Sequence, residues 1–224
     1  MTTPELLTAA EVAVYFDAIE WLVDVIESDQ VEAAWTAPSA LSRMSTGAVA
    51  AHAVTGIVRL EQQLTTEDEP SALRPVEIPE FYGPNRMDGP EDDDPLFVAL
   101  RDGAEKLAAK SRAAVLERCA RSVAVLRELL PRCAAARAVS LLRVPDGQVT
   151  LSTYLRTRIL EVMVHGDDIV ASIPEWPGPE PPAAAVRICL GVCLELAEAR
   201  AGGMEALRSF TRAERATPGA LRVL

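Results

Sequence analysis

The chain has 224 residues, 49% hydrophobic and only 4% aromatic, with 33 acidic against 22 basic side chains and a formal charge of −11. That length suits one domain over residues 1–224 with a full apolar core, and that charge repels nucleic acid and anionic lipid. The opening MTTPELLTAAEVAVYF carries acids where a signal peptide carries basic residues, and no uncharged apolar run nears the roughly 18 residues of a membrane span, so a cytoplasmic protein is expected. With so few aromatics the core must be built from Ala, Leu and Val, which favours closely packed helices and an all-α fold.

In chain order, Val12, Phe16, Ile19, Val23 and Ile26 recur every three or four residues and predict a first helix from Ala9 to Ser28. Ser45 is a good N-cap for a second helix that runs through His52 toward Leu64. From Thr65 to Pro95, six prolines and ten acids interrupt any period and predict a long acidic, proline-rich loop, with Phe81 and Tyr82 as its anchors. Within it the run Glu91-Asp92-Asp93-Asp94 reads as a solvated helix start.

Periodicity from Phe97 to Leu129 predicts one long third helix ending near Pro131, followed by a short extended pair around Pro145-Asp146-Gly147. A fourth main helix spans Ser152 to Ser172 and stops at IPEWPGPEPP; two more are expected over Ala183–Ala201 and Met204–Ala216. Four principal helices with long crossings predict a four-helix bundle with additional C-terminal helices. Cys119, Cys133, Cys189 and Cys193 lie in apolar helical stretches and read as free thiols, although Cys189 and Cys193 share a face and leave a thiol pair or soft-metal site open.

On the fourth helix, Tyr154, Arg158, Glu161, His165, Asp168 and Ser172 fall within an arc of about 80° at 100° per residue, flanked by apolar positions. Glu161 and His165 stand one turn apart on that stripe, which lets both reach one ion. On the second helix His52 shares a face with Thr55, Gly56, Arg59 and Gln63, so a third ligand is available. Two imidazoles and a carboxylate suit Zn²⁺ with an open position, and equally Fe²⁺ or Ni²⁺. The same spacing also occurs in plain helix-surface pairs. Asp168 can orient the His165 ring or simply face water; Arg158 and Arg59 can clamp a substrate carboxylate or pair with local acids; Tyr154 can donate a hydrogen bond or merely pack; Asp167 points away.

At these residues the sequence resembles the mycothiol-dependent maleylpyruvate isomerase family, in its N-terminal, DinB-like helical domain. In TYLRTRILEVMVHGDDIVASI, Arg158, Glu161, His165 and Asp168 fall on the family's helix positions; His52, within STGAVAAHAVTG, is similar to its first metal histidine, and LRSFTRAERATPGALRVL resembles family C-termini. The sequence departs from the family at Ser42-Arg43-Met44, where proline-glycine-tryptophan is common, and at Asp167, where tryptophan is common. A second, sterol-carrier-like domain like that of the isomerase proper is not expected in a chain of this length.

The resemblance implies a metal cleft in a DinB-like bundle that presents the thiol mycothiol to a small electrophile, for thiol transfer or isomerisation. On this reading His52, Glu161 and His165 hold the metal, Zn²⁺ foremost; Arg59 and Thr55 contact the thiol; Arg158, Tyr154 and Asp168 serve the chemistry. The expected partners are a small-molecule substrate and a thiol, with no nucleic acid or membrane and a homodimer left open. Two rival readings are a bundle that binds a metal or small molecule without chemistry, and oxygen activation at an iron site held by two histidines and a carboxylate.

Overall fold

The computed structural model describes residues 5–66, 73–83, 94–141, 144, 146–215, 219 and 221–223. Most of them are helical, in the order α1 (Ala9–Glu27), α2 (Asp29–Ala34), α3 (Thr46–Thr65), β1 (Arg74–Pro75), α4 (Ile78–Tyr82), α5 (Pro95–Ala108), α6 (Arg112–Leu129), β2 (Ala138–Ser140), β3 (Gly147–Thr150), α7 (Leu151–Ala171), α8 (Ala183–Ala201) and α9 (Gly203–Thr211). No helix among the described residues is long and apolar enough to cross a membrane.

Side-chain caps set the helix starts. The Thr8 hydroxyl accepts from the Glu11 amide while the Glu11 carboxylate accepts from the Thr8 amide, a capping box that satisfies two otherwise orphaned donors. Ser45 caps α3 as its sequence predicts, and Thr150 caps α7. The expected long third helix is two helices. Ser111 has an extended backbone, and its hydroxyl accepts from the Ala114 amide at 3.0 Å, so a new helix starts where apolar periodicity alone saw continuity.

The fold also departs from a purely helical one. Arg74–Pro75 pairs parallel with Gly147–Gln148, and Ala138–Ser140 pairs antiparallel with β3, giving a small sheet of order β1-β3-β2. The extended pair read around Asp146 and Gly147 is therefore β2–β3, with Pro145 outside the described residues. The Thr65–Pro95 stretch is not loop throughout, since it contributes β1 and α4; the acids Glu91, Asp92 and Asp93 lie outside the described residues. Asp94 caps α5 by accepting from the Leu96 amide.

Packing follows from small side chains. Ala48, Val49, Ala50, Ala51 and Val54 of α3 have no exposure at all, and α3 packs against α5, α6 and α7. Burying methyl-sized groups brings helix axes close, toward the short end of the ~8–10 Å range. On the other flank α7 packs against α1 and α8. The closest approach there is at Gly166, where a Cβ would stand 2.2 Å from the Trp21 ring; the Trp21 indole NH also donates to the Pro179 carbonyl at 2.9 Å. A second apolar cluster joins Ile78 and Tyr82 of α4 to Leu160 of α7, Val192 and Leu196 of α8, Ala206 of α9 and Val223.

Gly166→Ala should destabilise the protein by about 1–3 kcal/mol, because the rigid Trp21 ring must move to admit a methyl group and this outweighs the gain in helix propensity. Urea denaturation of the two proteins checks this; a stabilised variant would contradict the tight α1–α7 contact.

Candidate metal centre

Packing α3 on α7 sets His52 beside His165, with ring centroids 4.8 Å apart and planes at 81°. Glu161 precedes His165 by one helical turn, and its Oε2 lies 3.4 Å from His165 Nε2. One ligand atom from each of His52, Glu161 and His165 lies within 4.8 Å of the other two. At metal–ligand lengths of about 2.0–2.1 Å a tetrahedral site has edges of ~3.4 Å, so one edge is already formed and a small closure completes the rest.

The other nitrogen of His165 is also engaged. Its Nδ1 lies 3.1 Å from Asp168 Oδ2, which orients the ring and leaves Nε2 facing the cluster. Asp168 is thus an orienting carboxylate rather than a solvated helix-end acid, and its side chain is 21% exposed. Burial works against charge on His165, but the hydrogen bonds from Asp168 and Glu161 outweigh it and push its pKa up to about 9.

The cluster forms part of the wall of a cavity of about 120 Å³ whose lining includes Thr55, Gly56, Arg59, Gln63, Phe81, Tyr154 and Arg158. That is room for a few waters or the reactive end of a ligand. Arg158 Cζ sits 4.8 Å from the Tyr154 ring centre and 5.7 Å from that of Phe81, and its Nη2 is 3.9 Å from Glu161 Oε1. Burial opposes its charge, and Tyr154 and Glu161 more than offset that, so it stays a guanidinium. Arg59 lines the same cavity and forms no ion pair among the described residues.

Of the residues singled out in the sequence, His52, Thr55, Arg59, Tyr154, Arg158, Glu161 and His165 meet at this cavity. The Thr55 hydroxyl is committed to the Ala51 carbonyl at 2.8 Å, leaving its lone pairs for a ligand. Ser172 shares the stripe but not the cavity: its hydroxyl donates to the Asp168 carbonyl and accepts from the Ala40 amide. Asp167 is exposed, as expected. Gly56 leaves its room toward Arg158, whose Nη1 would be 3.6 Å from a Cβ there. Leu100, Ser140 and Leu141 complete the lining. They come from α5 and the β2 region, and no period in the sequence links them to the histidines; the Gln63 amide, donating to the Ser140 carbonyl at 2.8 Å, ties the strand to the α3 stripe.

The match to known proteins fits this geometry. A family model described as the mycothiol maleylpyruvate isomerase N-terminal domain matches residues 19–170, well over half of the chain. The chain belongs to this family. The match runs from within α1 to the end of α7, so the isomerase-type N-terminal domain contains His52, Glu161, His165 and Asp168, while α8 and α9 lie beyond it. No curated protein and no solved structure matches the chain.

Because an ion at this cluster must displace the proton that His165 holds below about pH 9, apparent metal affinity should rise with pH by about tenfold per unit through the neutral range. Asp168→Asn removes one of the bonds that hold the proton and should flatten this dependence at neutral pH. Calorimetric titration with Zn²⁺ at several pH values checks both; an affinity independent of pH would exclude His165 as a ligand.

Proposed function

We propose that this protein is a divalent-metal-dependent thiol transferase or isomerase, in which a mycothiol-type thiol attacks a small electrophile. We read α1, α3, α6 and α7 as the DinB-like four-helix bundle that carries the site. The observation that carries the reading is the convergence of His52, Glu161 and His165 on the wall of a cavity that also holds two guanidinium groups.

The donor set fits the ion. Two neutral imidazoles and one carboxylate, with an open side toward a cavity, match the three-ligand pattern of catalytic Zn²⁺ sites and leave a position for an external ligand. A bound divalent cation supplies charge that favours thiolate over thiol at neutral pH. The chain's own residues do the rest. Asp168 fixes the His165 ring. Arg158, packed beside the Tyr154 and Phe81 rings, presents fork-shaped donors to a carboxylate on thiol or substrate, and Arg59 adds a second positive charge on the cavity lining. Tyr154 is 3% exposed and serves mainly as the platform on which that guanidinium rests.

Protein purified without an affinity tag should carry about one divalent ion per chain by elemental analysis, and His52→Ala or His165→Ala should abolish it. With mycothiol and a panel of electrophiles, both variants should lose turnover, and Asp168→Asn should bind metal about 10–100-fold more weakly. Arg158→Lys should raise KM more than it lowers kcat, since charge is kept and the planar fork is lost. Undiminished turnover by His165→Ala would overturn this mechanism, and tight thiol binding without product across the panel would favour a binding module.

A further inference from the structure

The outer face of α8 has a charge pattern that nothing in the single chain uses. Arg187, Leu190, Leu194 and Glu198 follow one another at spacings of three, four and four residues, so they form one stripe. All four are exposed, Leu190 at 62% and Leu194 at 47%. Neither the Arg187 nor the Glu198 side chain makes an ion pair or hydrogen bond among the described residues. Gly191 flanks the stripe halfway along it, where an added Cβ would meet nothing within 4 Å. A mid-helix glycine costs about 1 kcal/mol relative to alanine, and the isolated chain gains no contact in return.

The neighbouring helix exposes apolar side chains as well. Gly202, at φ 87°, turns the chain so that α9 packs back on α8, and Met204, Leu207 and Phe210 of α9 are 52–61% exposed. These five apolar side chains leave on the order of 500 Å² uncovered, at the upper end of what a monomer tolerates. A stable pairing buries about 800 Å² per partner, which this face supplies once its polar rim is included.

We infer that the protein is a homodimer in which α8 pairs antiparallel with α8 of a second copy about a two-fold axis near Gly191 and Val192. An isologous interface must be self-complementary, and this stripe is. Antiparallel pairing about that point sets Leu190 against the partner's Leu194 and Leu194 against the partner's Leu190. It sets Arg187 against the partner's Glu198, twice over by symmetry. Gly191 lies at the crossing, where a missing side chain lets the two helices approach. A parallel pairing would oppose like charges, Arg187 to the partner's Arg187 and Glu198 to the partner's Glu198. The metal cavity lies between α3 and α7, so dimerisation leaves it open.

Sedimentation equilibrium and light scattering should give twice the 24.1 kDa chain mass. Leu190→Asp with Leu194→Asp should return the protein to monomer with an unchanged circular dichroism spectrum, because both side chains are exposed in the single chain. Gly191→Leu should also produce monomer while raising thermal stability of the chain itself. Arg187→Glu and Glu198→Arg should each weaken the dimer about tenfold or more, and the two together should restore it. A mass of 24.1 kDa at every concentration overturns the proposal and leaves the face to a different partner. A dimer indifferent to the leucine and charge substitutions places the interface elsewhere and overturns it equally.

Discussion

The close approach of α3 and α7 is the constraint on which the rest of the structure depends. His52 and the Glu161–His165 pair are more than a hundred residues apart, and they meet where the first half of α3 buries mainly alanine and valine. Larger side chains there would move the axes apart by ~1–2 Å, and metal–nitrogen bonds tolerate only a few tenths of an ångström. The low aromatic content is therefore a condition of the site as well as a feature of the core.

Around that contact the protein solves an electrostatic problem. It buries a carboxylate, a guanidinium and a protonatable imidazole in one small space, an expensive arrangement unless each charge faces an opposite one. Glu161 stands between Arg158 and His165, and His165 stands between Glu161 and Asp168, so the charges alternate along α7 at spacings of three, four and three residues. The alternation sets each charge beside an opposite one, and a cation bound there would displace the proton that the imidazole holds. Arg158 and Arg59 place two positive groups on the lining of this cavity in a protein whose net charge is −11.

Segments outside α3 and α7 position the rest of the lining. α4 lies in a stretch that composition marks as proline-rich loop, yet it presses Phe81 under Arg158, and Tyr82 reaches toward the Thr157 carbonyl. Its apolar partners are on α7, α8 and α9, so one side of the cavity rests on the second apolar cluster. β2 is set the same way, by pairing with β3 and by the Gln63 amide.

From the sequence alone one can read the principal helices, the cap at Ser45 and the polar stripe on α7, because these depend on neighbours within a few residues and obey a 3.6-residue period. Glu161 and His165 are legible as a pair for the same reason, and the family resemblance names His52 as their companion. The break at Ser111, the helix in the proline-rich stretch and the parallel strand at Arg74 are decided elsewhere, by a hydroxyl cap competing with the helix and by partners distant in the chain. Asp168 meets the imidazole, and Arg158 the Tyr154 ring, within α7 itself, but the Phe81 contact of Arg158 is a tertiary matter, since a helix position specifies a direction but not what stands opposite. Local periodicity determined which side chains share a face; only the packing of α3 on α7 decided that two such faces meet around one cavity.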